Sequence, residues 1–541
     1  MQTVSLEIWA DSFHEGEWCC DRLGDICESL GGKYHVEYQN GFIPKYVFST
    51  SSYQMTITVY GSYKSWAPIP KRIKNLIAWG KPDFIAYDPE KDEILFAVEE
   101  TAAVPTGNQA LQRCERIYGS AKERIPFFYL LSEFGRHKDK GIRRSSIWPS
   151  VMSIKLSYIH RTPCVVLFYS DEEHPEDYNY GIGVDMMFKM LFQLLDNHAQ
   201  RKPKFYKMDD IYRQAYRNMI GFVNSQWREQ INFLPGEETD PVKLDELATV
   251  LTNFAINGED DLTKLPSSYL VWPNVDGLPD QVRQSQMGKP LIKPDRLCEL
   301  LEQDLTRGKA YSLSDNAGSR PQAVSSIHKW IKEQEALFYS ESIPNGAVFS
   351  LKVEDFPSSR KVEVDFGEED ILEGVTDELG LEDEEVEEDL DVEVGLNDNP
   401  QGTENPEDKD YRHVTTSKNI VYLYDRWADL KAAIGTAYPR LQEPLKTIGN
   451  DEMPVMIYIS NSLKKGRIFG DPFTGQLSAY ATIFGKDVRK KRMVIAYYPH
   501  QVHTQYLKGG SNKGKVLLSD VTDYLLFTGG VLVQSQTKEV Y

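Results

Sequence analysis

The chain has 541 residues, more than one ordinary domain uses, and its 41% hydrophobic and 26% charged residues are the mix of a globular protein rather than a disordered one. It has no apolar run of the roughly eighteen residues a bilayer-crossing helix needs, so no membrane partner is expected. The net charge of −20 is unevenly placed: residues 353 to 410 hold 24 acidic residues against Arg360, Lys361 and Lys409, and the remainder is close to neutral.

The opening MQTVSLEIWADS lacks the basic start and apolar core of a secretory leader. Cys19, Cys20, Cys27, Cys114, Cys164 and Cys298 form no CxxC pair and no zinc spacing, so free thiols in a reducing cytoplasm are expected. VSLEIWA reads as a strand, and GEWCCDRLGDICESLGG as a helix through Trp18, Leu23, Ile26 and Leu30 that ends on glycines. YQMTITVYGSY alternates as a strand does. DFIAYD and ILFAVEET, joined by the polar PEKDE, make a hairpin. Residues 108 to 121 (NQALQRCERIYGSA) read as a helix, PFFYLLS as a buried strand, WPSVMSIKLSYIH as a helix, PCVVLFYS as another strand and DMMFKMLFQLLDN as an apolar helix.

This order predicts an α/β (α+β) fold: an N-terminal unit over 1–203 with a mixed sheet flanked by helices, and a mainly helical middle region over 204–352. The acidic stretch 353–410 has too little apolar content to offset its ordering entropy and reads as a flexible linker. Residues 411–541 invert the charge, with 18 Lys and Arg against 10 Asp and Glu, and read as a basic α+β domain. There YLYDRWADLKAAIG is expected to be a helix, and VMIYISNS, LSAYATIF, RMVIAYY and KVLLSDVTDYLLF mainly strands.

The basic residues of that domain cluster in two loops, Lys464, Lys465 and Arg467, then Lys486, Arg489, Lys490, Lys491 and Arg492. Tyr497, Tyr498, His500, His503 and Tyr506 follow at once. Cations that neutralise phosphates beside side chains able to touch bases suit DNA or another polyanion, so Lys464, Lys465, Arg467, Arg489, Lys490, Lys491, Arg492, Tyr498 and His500 are the expected nucleic-acid contacts.

The chemistry concentrates in KPDFIAYDPEKDEILFAVEET, residues 81 to 101. Asp83 opens one strand of the hairpin and Glu99 closes the other, so the ends farthest from the turn bring two carboxylates together. Period-two alternation puts Leu95, Ala97, Glu99 and Thr101 on one face. Hard oxygen donors of this kind suit Mg2+, with Mn2+ as a substitute, completed by water. Glu100 is the alternative ligand should the strand present its other face.

Pro82-Asp83, a hairpin and then Glu99-Glu100-Thr101 resembles the PD-(D/E)xK nuclease superfamily, to which most type II restriction endonucleases belong. The resemblance covers residues 10 to 175 or so. It implies that Asp83 and Glu99 bind Mg2+, and that Thr101 stands where the family carries a catalytic lysine. Replacement of that charge is expected from the following helix, where Gln109, Gln112, Arg113 and Arg116 are spaced to share a face, with Gln112 or Arg113 the expected substitute. A further carboxylate from the first helix is implied, with Glu15, Glu17, Asp21 and Glu28 as candidates. The implied function is a Mg2+-dependent endonuclease acting on DNA in restriction or prokaryotic defence, as a homodimer or higher oligomer or with a partner protein of a defence system. The alternative is a catalytically inactive nuclease-like DNA-binding or assembly protein.

Overall fold

A computed structural model describes residues 2–39, 43–61, 68–101, 109–136, 141–231, 241–265, 419–424, 426–460, 471–485, 491–498, 502–508, 512–527 and 529–541. The acidic stretch and most of the middle region lie outside these residues.

The first sheet has eight strands: β1 (Gln2–Ala10), β2 (Lys33–Gln39), β3 (Ile43–Ser49), β4 (Tyr53–Tyr60), β5 (Phe84–Asp88), β6 (Glu93–Thr101), β7 (Phe127–Ser132) and β10 (Cys164–Tyr169). Their spatial order is β10-β7-β6-β5-β1-β4-β3-β2. Strands β10, β7 and β6 run parallel, β5 is antiparallel to both β6 and β1, and β1 is parallel to β4. A short separate hairpin, β8 (Phe134–Arg136) with β9 (Ile142–Arg144), follows β7. The mixed α/β sheet flanked by helices expected from the sequence is present.

Helix α1 (Phe13–Ser29) starts on a capping box: Ser12 Oγ accepts from the Glu15 N–H at 3.2 Å, and Glu15 Oε2 accepts from the Ser12 N–H at 2.9 Å. Its buried residues Gly16, Cys19, Cys20, Leu23 and Cys27 repeat at three and four, giving one apolar stripe for the sheet. Gly16 permits the close approach, since a β-carbon there would fall 2.4 Å from Val59 Cγ1. Helix α6 (Gly183–Ala199) packs beside α1 on the same face. The other face carries α2 (Lys71–Ile77), α3 (Gln109–Gln112), α4 (Cys114–Lys122) and α5 (Trp148–His160). The middle region contributes α7 (Asp209–Ile231) and α8 (Pro241–Ile256), whose Tyr212, Tyr216, Met219, Leu247, Leu251 and Phe254 enter the same core. No helix among the described residues is long and apolar enough to cross a membrane.

The β5–β6 turn is held from outside. Asp88 Oδ1 accepts from the N–H groups of Glu90 (2.8 Å) and Lys91 (3.1 Å), while Oδ2 lies 2.6 Å from His198 Nε2 at the end of α6. Asp92 takes the left-handed conformation, φ +50°, that closes the turn. The hairpin is therefore fixed at both ends, by the turn here and by its ladder at the far end.

The C-terminal sheet runs β11 (Asn419–Tyr424), β12 (Val455–Ser460), β13 (Met493–Tyr498), β14 (Tyr524–Phe527) and β15 (Val531–Gln534) in sequential order, with β12, β13 and β14 parallel. Period two divides its side chains between two cores. Val455, Ile457, Met493, Ile495 and Tyr497 face α9 (Trp427–Ala437) and α10 (Gln442–Thr447). Met456, Tyr458, Val494, Ala496 and Tyr498 belong instead to the large core of the N-terminal sheet.

Three expected elements are corrected here. In YLYDRWADLKAAIG the first residues are strand β11 and the helix begins at Trp427. LSAYATIF is not a strand: it closes α11 (Asp471–Tyr480) and continues as a π-helical turn, Ala481–Gly485. KVLLSDVTDYLLF divides into the end of α13 (Asn512–Val521), which follows the short α12 (His503–Lys508), and then β14. The cause in LSAYATIF is burial on every side between the two sheets, which erases the 3.6 period and leaves a continuous apolar run.

Candidate functional site

Phe84 pairs with Val98 and Ile85 with Ala97, so the next step of the ladder carries Asp83 to Glu99. The Asp11 N–H donates to the Asp83 carbonyl at 2.7 Å, extending the β1–β5 pairing past Ala10. The ends of β1, β5 and β6 thus meet the first turn of α1, and five acidic residues gather there: Asp11, Glu15, Asp83, Glu99 and Glu100.

Alternation along β6 sends the adjacent glutamates to opposite faces. Glu99, 1% exposed, turns toward α4, where Oε1 accepts a short hydrogen bond from Arg116 Nη1 and lies 3.6 Å from Arg113 Nε. Its Oε2 is buried and has no hydrogen-bond partner among the described residues. Glu100 turns toward α1 and α6 and accepts a short hydrogen bond from the Tyr178 hydroxyl. Tyr178 stacks on Tyr169 with ring centres 4.5 Å apart, and Trp18 of α1 lies 5.9 Å from it. Asp83 sits between the two, its Oδ2 accepting from the Glu100 N–H at 2.5 Å.

Burial dominates the electrostatics. It pushes the Asp83 carboxyl up to about 6 against the opposing pull of Arg116 and the Glu100 N–H. It raises Glu99 well above the carboxylate range in spite of Arg116, with the Asp83 charge adding to the rise. Glu100 is pushed up to about 7 by burial, against the Tyr178 hydrogen bond. Glu15 reaches about 8 through burial and then the charges of Asp83 and Asp11. Carboxylates this close, each disfavouring the ionisation of its neighbour, carry an anionic strain that a cation relieves.

Of the four helix carboxylates considered from sequence, only Glu15 reaches this cluster; Glu17 is raised by burial and by Asp21, one turn away from it. The two glutamates expected as alternative partners of Asp83 lie on opposite faces of β6, so Asp83, Glu99 and Glu100 do not converge on one point. Among the described residues no three His, Cys, Asp or Glu side chains form a metal cage. A cation bound here would rest on Asp83 and Glu99, with Glu99 Oε2 as an open donor, and Mg2+ is commonly held by one or two carboxylates with water completing the shell. The donor set fits a hydrated Mg2+ on that basis.

Thr101 ends β6 half-buried, its carbonyl accepting from the Tyr169 hydroxyl at 3.3 Å. The helix expected over 108–121 is broken at Arg113 (φ −95°, ψ 2°) into α3 and α4, so Gln112, Arg113 and Arg116 do not lie along one uninterrupted helix. The break lets both Arg113 and Arg116 turn to Glu99, and Arg116 is the nearer. Gln112 is half-buried, and its backbone carbonyl meets Gly475 of α11. Sequence reasoning gave no role to Tyr178 or Tyr169, which lie 78 and 69 residues from Glu100 in the chain and carry no motif.

The expected nucleic-acid contacts divide. Lys464, Lys465, Arg467, Arg489, Lys490 and His500 lie outside the described residues, and Lys491 is exposed. Arg492 and Tyr498 are corrected: both are core residues, 2% and 0% exposed. Arg492 Nη1 donates to the Tyr424 carbonyl at 2.9 Å, and burial lowers its basicity to about 10. Tyr498 stacks on Phe527, and Tyr497 shares a 2.6 Å hydrogen bond with Tyr438. This aromatic run packs a sheet and offers no platform to bases.

The fold and site together define a mixed α/β protein with a buried carboxylate–arginine cluster at the end of a β-hairpin. Comparison with protein-family models, curated proteins and solved structures returned no match.

Proposed function

We propose that the chain is a Mg2+-dependent endonuclease that hydrolyses DNA phosphodiester bonds, acting in restriction or another prokaryotic defence. The observation that carries this reading is the placement of Asp83 beside buried Glu99, whose Oε2 is unpartnered among the described residues, with two arginines at the same carboxylate. Mg2+ at such a pair supplies an activated water and charge neutralisation at the phosphate. Asp83 and Glu99 hold the ion. Arg113 and Arg116 supply, from the following helices, the positive charge that Thr101 lacks, and their guanidinium forks suit phosphate oxygens. Tyr178 orients Glu100 from the opposite side.

The order hairpin, helix, parallel strand supports the resemblance to the PD-(D/E)xK superfamily. One departure is that the strand antiparallel to β5 on the side away from β6 is β1, which precedes α1. Cytoplasmic location and a multimeric active form belong to the same proposal. The Glu99–Arg116 ion pair also favours a second reading, a nuclease-like scaffold whose acidic residue is permanently neutralised.

One comparison separates the two. Supercoiled plasmid is incubated with the protein and Mg2+ or Mn2+, alongside Asp83→Ala and Glu99→Ala, and metal binding is titrated calorimetrically. Nicking and metal binding that both variants lose support the enzyme; metal-independent DNA binding with no nicking by any of the three supports the scaffold.

A further inference from the structure

The two outer strands of the large sheet are treated differently. On β10 two of the three outward N–H groups are hydrogen-bonded, that of Cys164 to Ser157 Oγ (3.1 Å) and that of Val166 to Met219 Sδ (3.3 Å). Gly183 packs closely on the backbone of the third, Phe168, and just beyond the strand the Ser170 N–H meets the Tyr180 carbonyl (2.6 Å). In the second sheet, β15 is closed by the chain folding back, with Leu532 and Tyr541 exchanging hydrogen bonds and Gln534 bonding Glu539. Among the described residues strand β2 has no such cover. Beyond its ladder with β3, the backbone of residues 34 to 39 has no hydrogen-bond partner among the described residues. Open edges invite another strand unless they are blocked.

The side chains of β2 complement themselves. Tyr34, Val36 and Tyr38 lie on the α1 face, and Lys33, His35, Glu37 and Gln39 on the other. Tyr34 packs against Tyr46 and Phe48, whereas Tyr38, the same kind of residue on the same face, is 58% exposed. Antiparallel pairing of β2 with a second copy about a two-fold axis at Val36 sets Tyr34 opposite Tyr38, His35 opposite Glu37, and Lys33 opposite Gln39, each pair occurring twice. Moving the axis to Glu37 would set that carboxylate against itself, and moving it to His35 would oppose two imidazoles. Directly opposed residues on one face are the unit of sheet stabilisation, and like charges there are unfavourable.

We infer that β2 is a homodimerisation edge, at which two copies of this chain pair antiparallel about Val36 to make one continuous sheet. The paired contact covers the exposed Tyr38 ring with Tyr34 of the second copy and satisfies the open backbone. It is independent of the nuclease reading.

The test uses the full chain in sedimentation equilibrium, with His35→Glu, Glu37→Lys and the double variant, each checked for native circular dichroism. The expected result is a wild-type dimer, with association weakened about tenfold or more in His35→Glu, where two carboxylates then oppose each other across the axis. The double variant should recover, because its two new side chains carry opposite charges and face each other. Val36→Cys under mild oxidant or a short bis-maleimide should give a covalent dimer through the symmetric pair, above the wild-type background. A monomeric wild type, a dimer indifferent to His35→Glu, or no crosslink at position 36 overturns the proposal. Should His35→Glu perturb folding, the crosslink alone decides.

Discussion

Gly475 and Gln112 touch through their backbones: a β-carbon on Gly475 would fall 2.2 Å from the Gln112 carbonyl oxygen. This joins the C-terminal helix α11 to the helix pair that brings Arg113 and Arg116 to Glu99. Three further contacts fix the same interface. The Tyr118 hydroxyl donates to Asp520 at 2.5 Å with Lys122 Nζ 3.0 Å away, and buried Lys155 Nζ donates to the Ile483 carbonyl at 2.8 Å. The C-terminal sheet is therefore part of the support of the carboxylate site.

Gly475→Ala should push α11 off α3, because backbone atoms cannot move aside as a flexible side chain can. Overpacking of this kind costs about 1–3 kcal/mol. A lower midpoint in thermal unfolding is the expected readout. Lys122→Ala, at the rim of the same interface and partly exposed, should cost less, at most about 1 kcal/mol.

Arg116→Ala leaves Glu99 buried with only the longer contact to Arg113. Removing one member of a buried pair costs about 3–5 kcal/mol, whereas replacing both with apolar residues is often close to neutral. Urea unfolding should therefore rank Arg116→Ala well below the double variant Arg116→Leu/Glu99→Leu. Both variants also lose the 3.5 Å contact of Arg116 with buried Glu115, so an equal loss in the two would show that the Glu99–Arg116 pair itself contributes nothing beyond that contact and its packing.

The site gives the metal-free protein a stability that rises on acidification. Asp83, Glu100 and Glu15 have folded values of about 6, 7 and 8, all above the ordinary carboxylate range. The folded state then binds more protons than the unfolded one between the two ranges. This contribution is fully present below about pH 4 and is lost as pH climbs through about 6 to 8. Chelator-treated protein should melt higher at about pH 5.5 than at about pH 8.5, and Mg2+ should narrow the difference by favouring the ionised forms. Glu15→Gln, which cannot ionise, should flatten the profile.

The hairpin was legible from sequence because its signals are local: alternation, a polar turn and acidic ends within twenty-one residues. The same holds for β7, β10, α5 and α6, each a compact apolar run with clear punctuation. What escaped was decided at a distance. Arg492 and Tyr498 look like surface chemistry because basic and aromatic residues adjoin them, yet Tyr424 and Phe527 bury them. The break at Arg113 lies where α11 packs, more than 350 residues later in the chain. Alternation already sends Glu99 and Glu100 to opposite faces, but only the fold could show that one meets the arginines and the other Tyr178.

Tyr178→Phe isolates that last arrangement. Its hydroxyl donates to Glu100 and favours the charged carboxylate. Burial keeps the phenol protonated throughout the working range, so it remains a donor. Without the donor, burial acts unopposed by this bond and the Glu100 carboxyl rises further. The loss is felt only where Glu100 is ionised. Hydrogen bonds to charged groups are worth about 1.5–3 kcal/mol, so Tyr178→Phe should be destabilised by up to that amount at about pH 8.5 and much less at about pH 5.5. Thermal melts of variant and wild type at the two values measure the difference. A loss independent of pH would mean that Tyr178 acts through its stack on Tyr169 alone, and that Glu100 is held by something else.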